Sequence, residues 1–361
     1  MGAAAKMRSM SEPVPPQDPE PQRRRRPRYK GTHPRRFEEK YKELDPARYP
    51  ELVEHVRSRG QTPAGQHVPI LVDEALAVLE VQRALRGVDC TFGFGGHSER
   101  FLRALPVAGE LLALDVDPLQ LPRTEARLRA LGCAEPRLRV RRTNFAALGS
   151  VLHEVGWSDG VDFVFADLGV SSMQIDDPAR GFTFKQDGPL DMRMNPSRGL
   201  SAAQWLERAN EAQLAAVLVE NSDEPHAERV ARALTLRRGH VATTLALAEA
   251  VRAALPPRLE ADEAERSVRR VFQALRIEVN DEFGVLDALL RQLPDVLRSG
   301  GRAALLTFHS GEDRRVKKAF ERGLAEGRYA AICDEVARPS PEERRANPRA
   351  APAKLRWARR A

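Results

Sequence analysis

A glycine-rich segment and the acidic residue that follows it are the first candidates for chemistry in this sequence. Residues 91–97 read TFGFGGH, and Asp115 lies 20 positions after Gly95. Glycine in such a turn lets the backbone approach a bound molecule closely, because no side chain stands in the way. An acid at the end of the following strand can accept hydrogen bonds from the hydroxyl groups of a ribose. Together the two features predict a nucleotide-like cofactor site.

The residue after this segment separates two classes of cofactor. The dinucleotide fingerprint G-x-G-x-x-G requires glycine at position 98, where this chain has Ser98. The pyrophosphate-binding pattern is therefore not met, which disfavours a nicotinamide-dependent oxidoreductase. A methionine-derived cofactor carries no phosphate and needs only the tight glycine turn, so the loop favours S-adenosylmethionine. The alternative is a plain tight turn in an α/β protein.

Asp167 is the candidate for catalysis, because it ends the mostly apolar run at residues 161–167. In open α/β sheets, ligands bind outside the carboxyl ends of the strands, which would bring Asp167 close to Gly95 and Asp115. An exocyclic amine is a poor nucleophile, since its lone pair is delocalised into the ring. A carboxylate that accepts the amine N–H and helps to align it would assist methyl transfer. The alternative is a strand-end acid that caps the turn at Gly169.

Strands that alternate with helices position these residues. The predicted strands end near residues 90, 115, 141 and 167, and the predicted helices cover residues 73–85, 98–105, 118–131 and 148–155. This alternation predicts a parallel sheet with helices on both faces, which is an α/β fold. The alternation stops after Ile175: residues 201–264 are alanine-rich with a helical pattern, and strand character returns at residues 302–308. The interruption predicts an inserted helical domain.

The chain is therefore predicted to have three parts. Residues 61–175 and 276–361 form a discontinuous sheet domain, and residues 176–275 form the inserted helical domain. Residues 1–60 form a basic, partly disordered extension, because sequence rich in proline and arginine cannot bury a core. The extension holds 15 basic and 9 acidic residues, whereas the other 301 residues hold 43 and 42. Basic segments are attracted to nucleic acids, and a solubilising tail is the alternative.

Composition argues against several other classes of protein. No stretch reaches the roughly 18–20 uninterrupted apolar residues of a membrane helix, and the N-terminus lacks the apolar core of a secretory signal. The three cysteines, Cys90, Cys133 and Cys333, are far apart and form no CxxC pair, which favours a reducing compartment. The eight histidines show no metal-ligand spacing, so no metal is expected. We therefore expect a cytoplasmic protein without a membrane segment.

The order of the motifs along the chain resembles that of one family. The segments that carry the resemblance are residues 67–71 (HVPIL), 91–98 (TFGFGGHS), 167–172 (DLGVSS), 180–184 (RGFTF), 188–194 (GPLDMRM), 272–280 (FQALRIEVN), 308–314 (FHSGEDR) and 347–349 (NPR). Each segment is ordinary by itself, but the ordered set is highly specific. From His67 to about Arg356, the chain resembles the bacterial 16S rRNA cytidine N4-methyltransferases, known as the MraW or RsmH family.

The resemblance implies a Rossmann-like class I S-adenosylmethionine-dependent methyltransferase fold with an inserted all-helical domain for RNA recognition. It implies methylation of the N4 amine of a decoding-centre cytidine in 16S rRNA of the 30S ribosomal subunit, and it is compatible with a homodimer. The implied cofactor contacts are Gly95, Gly96, His97, Asp115, Phe145, Asp167 and Gln174. Phe145 would be either an apolar wall against adenine or a core aromatic. Gln174 would either bind the polar end of the cofactor or face solvent.

Several of the other motif residues leave two interpretations open. The loop at residues 188–194 would either cover the cofactor or connect the sheet domain to the insertion. Arg276 and Asn280, four residues apart on a predicted helix, would either reach phosphate groups or hold the domain junction. Ser310 is expected to cap a helix, with the acid Asp313 at the third helical position.

Two other functions remain open from the sequence. A methyltransferase for another substrate would leave the insertion and the basic extension without a purpose. A non-catalytic ribosome-assembly factor would not need Gly95, Asp115 and Asp167 intact. This chain has Gly311 where the resembling family usually has leucine, and Val271 where it usually has threonine, and both positions lie outside the cofactor contacts. The basic extension is predicted to help to hold the ribosomal particle.

Overall fold

A seven-stranded sheet forms the centre of the part of the chain that the structure describes. The structure is a computed structural model, and it describes residues 69–361. The strands are β1 (Arg86–Asp89), β2 (Glu110–Asp115), β3 (Leu138–Arg142), β4 (Val161–Asp167), β5 (Leu297–Thr307), β6 (Tyr329–Ile332) and β7 (Lys354–Arg360). They lie side by side in the order β3-β2-β1-β4-β5-β7-β6. The predicted extension at residues 1–60 and the motif residue His67 lie outside the described residues.

Helices follow each of the first four strands and cover the sheet. The helices are α1 (Val72–Leu79), α2 (Gly96–Ala104), α3 (Leu121–Ala130), α4 (Leu148–Glu154), α5 (Ser172–Asp176), α6 (Ala202–Arg208), α7 (Glu211–Ser222), α8 (Ala227–Leu236), α9 (Thr244–Ala254), α10 (Ala261–Asn280), α11 (Glu282–Val296), α12 (Ser310–Ala325) and α13 (Pro341–Ala346). Both faces of the central strands are buried, which explains why the sequences of those strands are nearly continuous runs of apolar residues. Within residues 69–361, every helix is too short or too polar to span a membrane.

The strand order creates the place where a ligand can bind. The chain adds β2 and β3 on one side of β1, and then β4 and β5 on the other side, all in parallel. Such a reversal leaves a crevice at the carboxyl ends of the strands beside it. The predicted Rossmann-like α/β fold is confirmed. The sequence does not predict β6 and β7, which pair antiparallel, because the charged stretch KLRWARR of β7 buries only Leu355 and Ala358.

The helices between β4 and β5 form a hydrophobic core separate from that of the sheet. Its fully buried members include Leu218, Val230, Leu247, Val268 and Leu275 from α7 to α10. The next helix, α11, packs on the sheet instead, through Leu286, Leu289 and Leu293. The predicted boundary between residues 275 and 276 falls inside α10. Most buried side chains of α10, before Asp281, pack in the core of the inserted helices, and most of those of α11, after it, pack in the core of the sheet. The exact division into domains stays a prediction.

Candidate active site

The glycine loop is held in shape by side chains of helix α3. Gly93 and Gly95 have φ angles of 47° and 70°, a region that glycine adopts without strain. Thr124 Oγ1 donates to the carbonyl oxygen of Gly93 at 2.6 Å, and Arg127 Nη2 donates to that of Phe94 at 2.8 Å. A Cβ atom added to Gly95 would lie 2.8 Å from Thr124 Cγ2. The loop therefore has a fixed shape, and position 95 has no room for a side chain.

Asp115 lies at the end of β2, directly beside this loop. Its Oδ2 accepts the N–H of Gly93 at 2.6 Å, and its Oδ1 accepts the N–H of Asp117 at 2.8 Å. Burial raises the pKa of Asp115, and these two hydrogen bonds oppose that change. The backbone N–H of Val116 also contributes to the carboxylate, which has about four acceptor positions in all, so it keeps capacity for a ribose hydroxyl. The structure thus brings Gly95 and Asp115 to the same edge, as the sequence predicts.

A further acid that the sequence analysis does not identify, Asp89, ends β1. Ser98 Oγ donates to Asp89 Oδ2 at 2.6 Å, and the N–H of Thr91 donates to Oδ1 at 3.0 Å. Burial raises the pKa of Asp89 to about 6 although both hydrogen bonds lower it. Ser98, the residue that departs from the dinucleotide fingerprint, therefore ties the start of α2 to the end of β1. Asp89 could have been predicted from its position at the end of a strand, the same feature that indicates Asp115.

Asp167 ends β4 and lies next to the glycine loop. Its backbone N–H donates to Thr91 Oγ1 at 2.7 Å, which fixes the strand end against the loop. The Asp167 side chain is 18% exposed, so a substrate can reach the carboxyl. Burial raises the pKa of Asp167 to about 8, and the negative charges of Asp89 and Glu312 contribute in the same direction. The pKa of this carboxyl is thus close to neutral pH, so the group can either give or take a proton.

His97 faces Asp167 from the first turn of α2. His97 Nε2 lies 3.0 Å from the carbonyl oxygen of Ile70, and a carbonyl only accepts, so Nε2 donates this hydrogen bond. Nδ1 lies 3.5 Å from Asp167 Oδ2, and the ring packs against Phe165 at a tilt of 44°, with 4.5 Å between centroids. The ring is therefore engaged with Asp167 and the core. Backbone N–H groups at the N-terminus of α2 are the means by which Gly96 and His97 would contact a cofactor.

The remaining two predicted cofactor contacts lie beyond β3 and β4. Phe145 begins a short 3₁₀ turn and packs, partly buried, against the core of the sheet. Gln174 Oε1 accepts the N–H of Ser171 at 2.9 Å, and Gln174 Nε2 donates to Asp117 Oδ2 at 2.8 Å. Gln174 therefore connects α5 to the loop that follows Asp115. For both residues the contact with a cofactor stays a prediction.

A second polar cluster lies just beyond the end of β5. One oxygen of Glu312 accepts the N–H of Phe308 at 2.8 Å, and the other lies 3.1 Å from His309 Nε2. Glu282, His309 and Glu312 are the group within residues 69–361 whose ligand atoms lie close enough together to hold a metal ion. The sequence spacing did not indicate this group. Arg276 already pairs with Glu282 at 2.8 and 2.9 Å, so we assign no metal to it.

The start of α12 differs from the prediction. Its N-cap is His309 and not Ser310, and no side chain caps the helix. The expected cap at Ser310 does not form, because the carboxylate of Asp313 accepts hydrogen bonds from Lys354 and Arg356 instead. The next position, Gly311, has no room for a larger residue, since an added Cβ would lie 2.6 Å from Phe283 Cζ. This contact gives a physical reason for the glycine at that position.

Acids at the ends of three adjacent strands therefore surround the glycine loop. Asp89, Asp115 and Asp167 provide negative or polar groups, the loop admits a close ligand, and Phe145, in the turn after β3, is a partly buried aromatic residue. A cofactor with a ribose, an aromatic base and a positive charge matches this set of groups. The chemistry of the site thus fits S-adenosylmethionine.

Comparison with known proteins identifies the family. The model of the MraW methylase family matches residues 64–361. Ribosomal RNA small subunit methyltransferase H 1 of Lachnoclostridium phytofermentans is 47% identical over 350 residues, which cover 95% of this chain and 95% of that protein. Ribosomal RNA small subunit methyltransferase H 2 of Alkaliphilus metalliredigens is 47% identical over 94% of this chain and 98% of its own length. An rRNA methylase structure from Streptococcus thermophilus aligns with a TM-score of 0.36 and 14% identity over 80% of this chain and 93% of that one.

The chain belongs to the MraW methylase family. The predicted resemblance, the predicted methyltransferase activity and the predicted cofactor, S-adenosylmethionine, are thereby confirmed. The alignment with the Lachnoclostridium protein leaves at most a twentieth of the chain unmatched, so it must include most of residues 1–60. A similar extension therefore occurs in that relative.

Proposed function

We propose that this methyltransferase acts on the N4 amine of a decoding-centre cytidine in 16S rRNA, with the 30S ribosomal subunit as its partner. Two relatives that match at least 94% of this chain are named as methyltransferases for the RNA of the small ribosomal subunit. The motif resemblance supports the cytidine and its N4 amine as the target. The basic residues in positions 1–60 suit a polyanionic partner.

Asp167 carries the proposed chemistry. When bound, S-adenosylmethionine supplies a methyl group on a positively charged sulfur. In its ionised form, Asp167 accepts one N–H of the target amine, orients the amine and takes up the proton that the amine loses. His97 Nδ1, 3.5 Å from Asp167 Oδ2, is the next acceptor for that proton. The observation that carries this proposal is the place of Asp167: at the switch in strand order, beside the glycine loop, and accessible from outside.

The cofactor residues are proposed to divide the task by their chemistry. Asp115 binds the ribose hydroxyls, and Phe145 lies against the adenine. The backbone of Gly95, Gly96 and His97 contacts the polar end of the cofactor, because the N-terminus of α2 favours the negative carboxylate there. Gln174 contributes the second N–H of its amide, since Asp117 accepts the first. Asp167 lies beside the sulfonium, where its negative charge is favourable.

One experiment tests the substrate. The protein is incubated with S-adenosylmethionine labelled in its methyl group and with 30S subunits that lack the modification, and the labelled nucleotide is mapped. We expect one labelled cytidine, with the label on N4. Asp167→Ala is expected to bind S-adenosylhomocysteine without transferring the methyl group. Label on another nucleotide or on a protein would favour a methyltransferase for another substrate.

The same assay decides between the enzyme and an assembly factor. An assembly factor without catalysis would bind the 30S subunit with or without the cofactor, and no label would reach the RNA. Free 16S rRNA, tested alongside the 30S subunit, decides which of the two is the substrate. We place the protein in the cytoplasm with its substrate, and the homodimer stays a prediction that the mass of the protein in solution would test.

A further inference from the structure

A buried ion pair joins the cofactor side of the site to the loop that leads into the inserted helices. The side chain of Asp117 is 1% exposed and that of Arg180 is 10% exposed. Asp117 Oδ2 lies 2.8 Å from Arg180 Nη1, although the residues are 63 positions apart in the chain. A buried ion pair is retained only where each partner is well satisfied, because an unpaired buried charge is costly.

On one side, Asp117 contacts the residues that are proposed to hold the cofactor. Its N–H donates to Asp115 Oδ1 at 2.8 Å, and its Oδ2 accepts from Gln174 Nε2 at 2.8 Å. Its Oδ1 accepts the N–H groups of Leu119 and Gln120 at 2.9 and 3.2 Å. Any redistribution of hydrogen bonds at Asp115 or Gln174 is therefore transmitted to Asp117.

On the other side, Arg180 holds the loop at residues 188–194. Its Nη2 donates to the carbonyl oxygens of Met194 at 2.9 Å and Arg193 at 3.2 Å. Its own carbonyl oxygen accepts the N–H of Met192 at 3.1 Å. The loop therefore has three hydrogen bonds to this one residue, and it cannot move relative to Asp117 without breaking them.

Asn280, the last residue of α10, forms hydrogen bonds with the same loop. Asn280 Oδ1 accepts the N–H of Met194 at 2.7 Å, and Nδ2 donates to the carbonyl oxygens of Met192 at 2.7 Å and Arg276 at 2.8 Å. These contacts favour the interpretation of Asn280 as a residue that holds the junction with the inserted helices over one that reaches phosphate groups. Direct hydrogen bonds thus run without a gap from Gly93 and Asp115, through Asp117 and Arg180, to the main helix of the insertion.

We propose that Arg180 is a positioning residue that couples cofactor binding to the binding of RNA by the inserted helices. This inference rests on the proposed function, because it takes the 30S subunit as the RNA partner. Cofactor at Asp115 and Gln174 fixes Asp117, and Arg180 then fixes the loop and α10. Such coupling is reciprocal, so the bound subunit must tighten the cofactor by the factor by which the cofactor tightens the subunit. Typical coupling corresponds to about 5- to 150-fold, and we expect about tenfold here.

Titration calorimetry with S-adenosylhomocysteine, in the absence and presence of saturating 30S subunits, measures this factor directly. The native protein is expected to bind S-adenosylhomocysteine about tenfold more tightly with the subunit present. Arg180→Lys keeps the charge but cannot donate to Asp117 and to two carbonyl groups at once. This variant is expected to bind S-adenosylhomocysteine alone within about threefold of the native protein and to lose the enhancement.

Arg193→Lys is the matched control, because Arg193 belongs to the same loop. Its guanidinium pairs with Asp191 at 2.6 Å and donates to Gly199, and it makes no contact with Asp117. A merely structural loss in this loop would affect Arg193→Lys and Arg180→Lys alike, whereas the proposed coupling predicts that Arg193→Lys keeps the enhancement. Asn280→Ala removes the hydrogen bonds between α10 and the loop at residues 188–194. This variant tests the coupling if Arg180→Lys fails to fold.

The inference is overturned if the native protein shows no enhancement, or if Arg180→Lys keeps it. If Arg180→Lys does not fold, an enhancement retained by Asn280→Ala overturns it equally. An enhancement that Arg193→Lys loses as well would assign the effect to the loop as a whole and would also contradict a specific role of Arg180. Mapping of the labelled methyl group separates these outcomes from failure of the proposed function: a native protein that methylates the RNA without enhancement contradicts only the coupling.

Discussion

Replacement of Asp167 by asparagine removes a carboxyl group that the fold holds away from ionisation. The pKa of Asp167 rises from the ordinary 3.8 to about 8, chiefly because the group is buried. A carboxyl whose pKa is raised in the folded state makes its full contribution to the free energy of unfolding below about pH 4. That contribution falls as the pH rises from about 4 to 8 and is lost above 8. Asparagine has no such dependence, so the variant should become more stable than the native protein as the pH increases.

The size of the effect follows from the pKa. Each pKa unit corresponds to about 1.4 kcal/mol, so a change from 3.8 to about 8 sets an upper limit of about 6 kcal/mol at pH 9. Since 18% of the side chain faces solvent, water stabilises part of the charge, and we expect about 2–4 kcal/mol. In a domain of this size that gain corresponds to a rise of several degrees in the unfolding temperature.

Thermal unfolding of both proteins without cofactor, from pH 5 to pH 9, measures the difference. It should be small at pH 5, grow up to about pH 8 and then level off. Asp159→Asn is the control of opposite sign, because Asp159 is exposed and its hydrogen bond to Arg298 lowers its pKa. A difference for Asp167→Asn that does not grow with pH would refute the reasoning from burial. Full methyl transfer by the same variant would refute the role of Asp167 as acceptor.

The other predictions concern turnover, the cofactor and the RNA. Because only ionised Asp167 accepts the amine N–H, kcat/KM for S-adenosylmethionine, which reports the cofactor-free enzyme, should rise with pH up to about 8, and a profile that is flat from pH 6 to 9 would contradict this. Glu312→Gln removes a negative neighbour, so it should move the rising limb of that profile to lower pH. Gly95→Ala should weaken binding of S-adenosylhomocysteine at least about tenfold, measured by calorimetry, because the φ of 70° and the contact with Thr124 are both strained by a Cβ. Deletion of residues 1–60 should weaken binding to 30S subunits and reduce its salt dependence without changing cofactor affinity, and unchanged salt dependence would contradict a role of the extension.

The parts of the site that could be predicted are those that local sequence determines. Gly95, Asp115 and Asp167 each follow a recognisable strand, and the carboxyl ends of parallel strands necessarily meet at one edge. Strand alternation also predicts the insertion, because the apolar runs stop and an alanine-rich helical pattern replaces them.

The parts that could not be predicted depend on contacts between distant loops. Asp117 and Arg180 lie in loops of no regular pattern, and their pairing follows only from the way in which the insertion returns to the sheet. The strand β7 escapes prediction for another reason: only two of its seven residues are buried, and Arg356 is held by Asp313 of α12, a contact that the local sequence does not reveal. His309 and Glu312 come together with Glu282 although 30 positions separate that residue from Glu312.

The three strand-end acids have a consequence for the exchange of spent cofactor. Asp89 and Asp167, with pKa values of about 6 and 8, are partly protonated at neutral pH, and a cation beside them favours their ionised forms. Binding of the sulfonium should therefore release protons. Once the methyl group has left, the sulfur is neutral, Asp167 has received the proton that the amine lost, and Asp89 can regain a proton from solvent. The electrostatic attraction that held the donor therefore no longer holds the product. The site should therefore hold the charged donor more tightly than the neutral product, and binding of the donor should become tighter as the pH rises through 8.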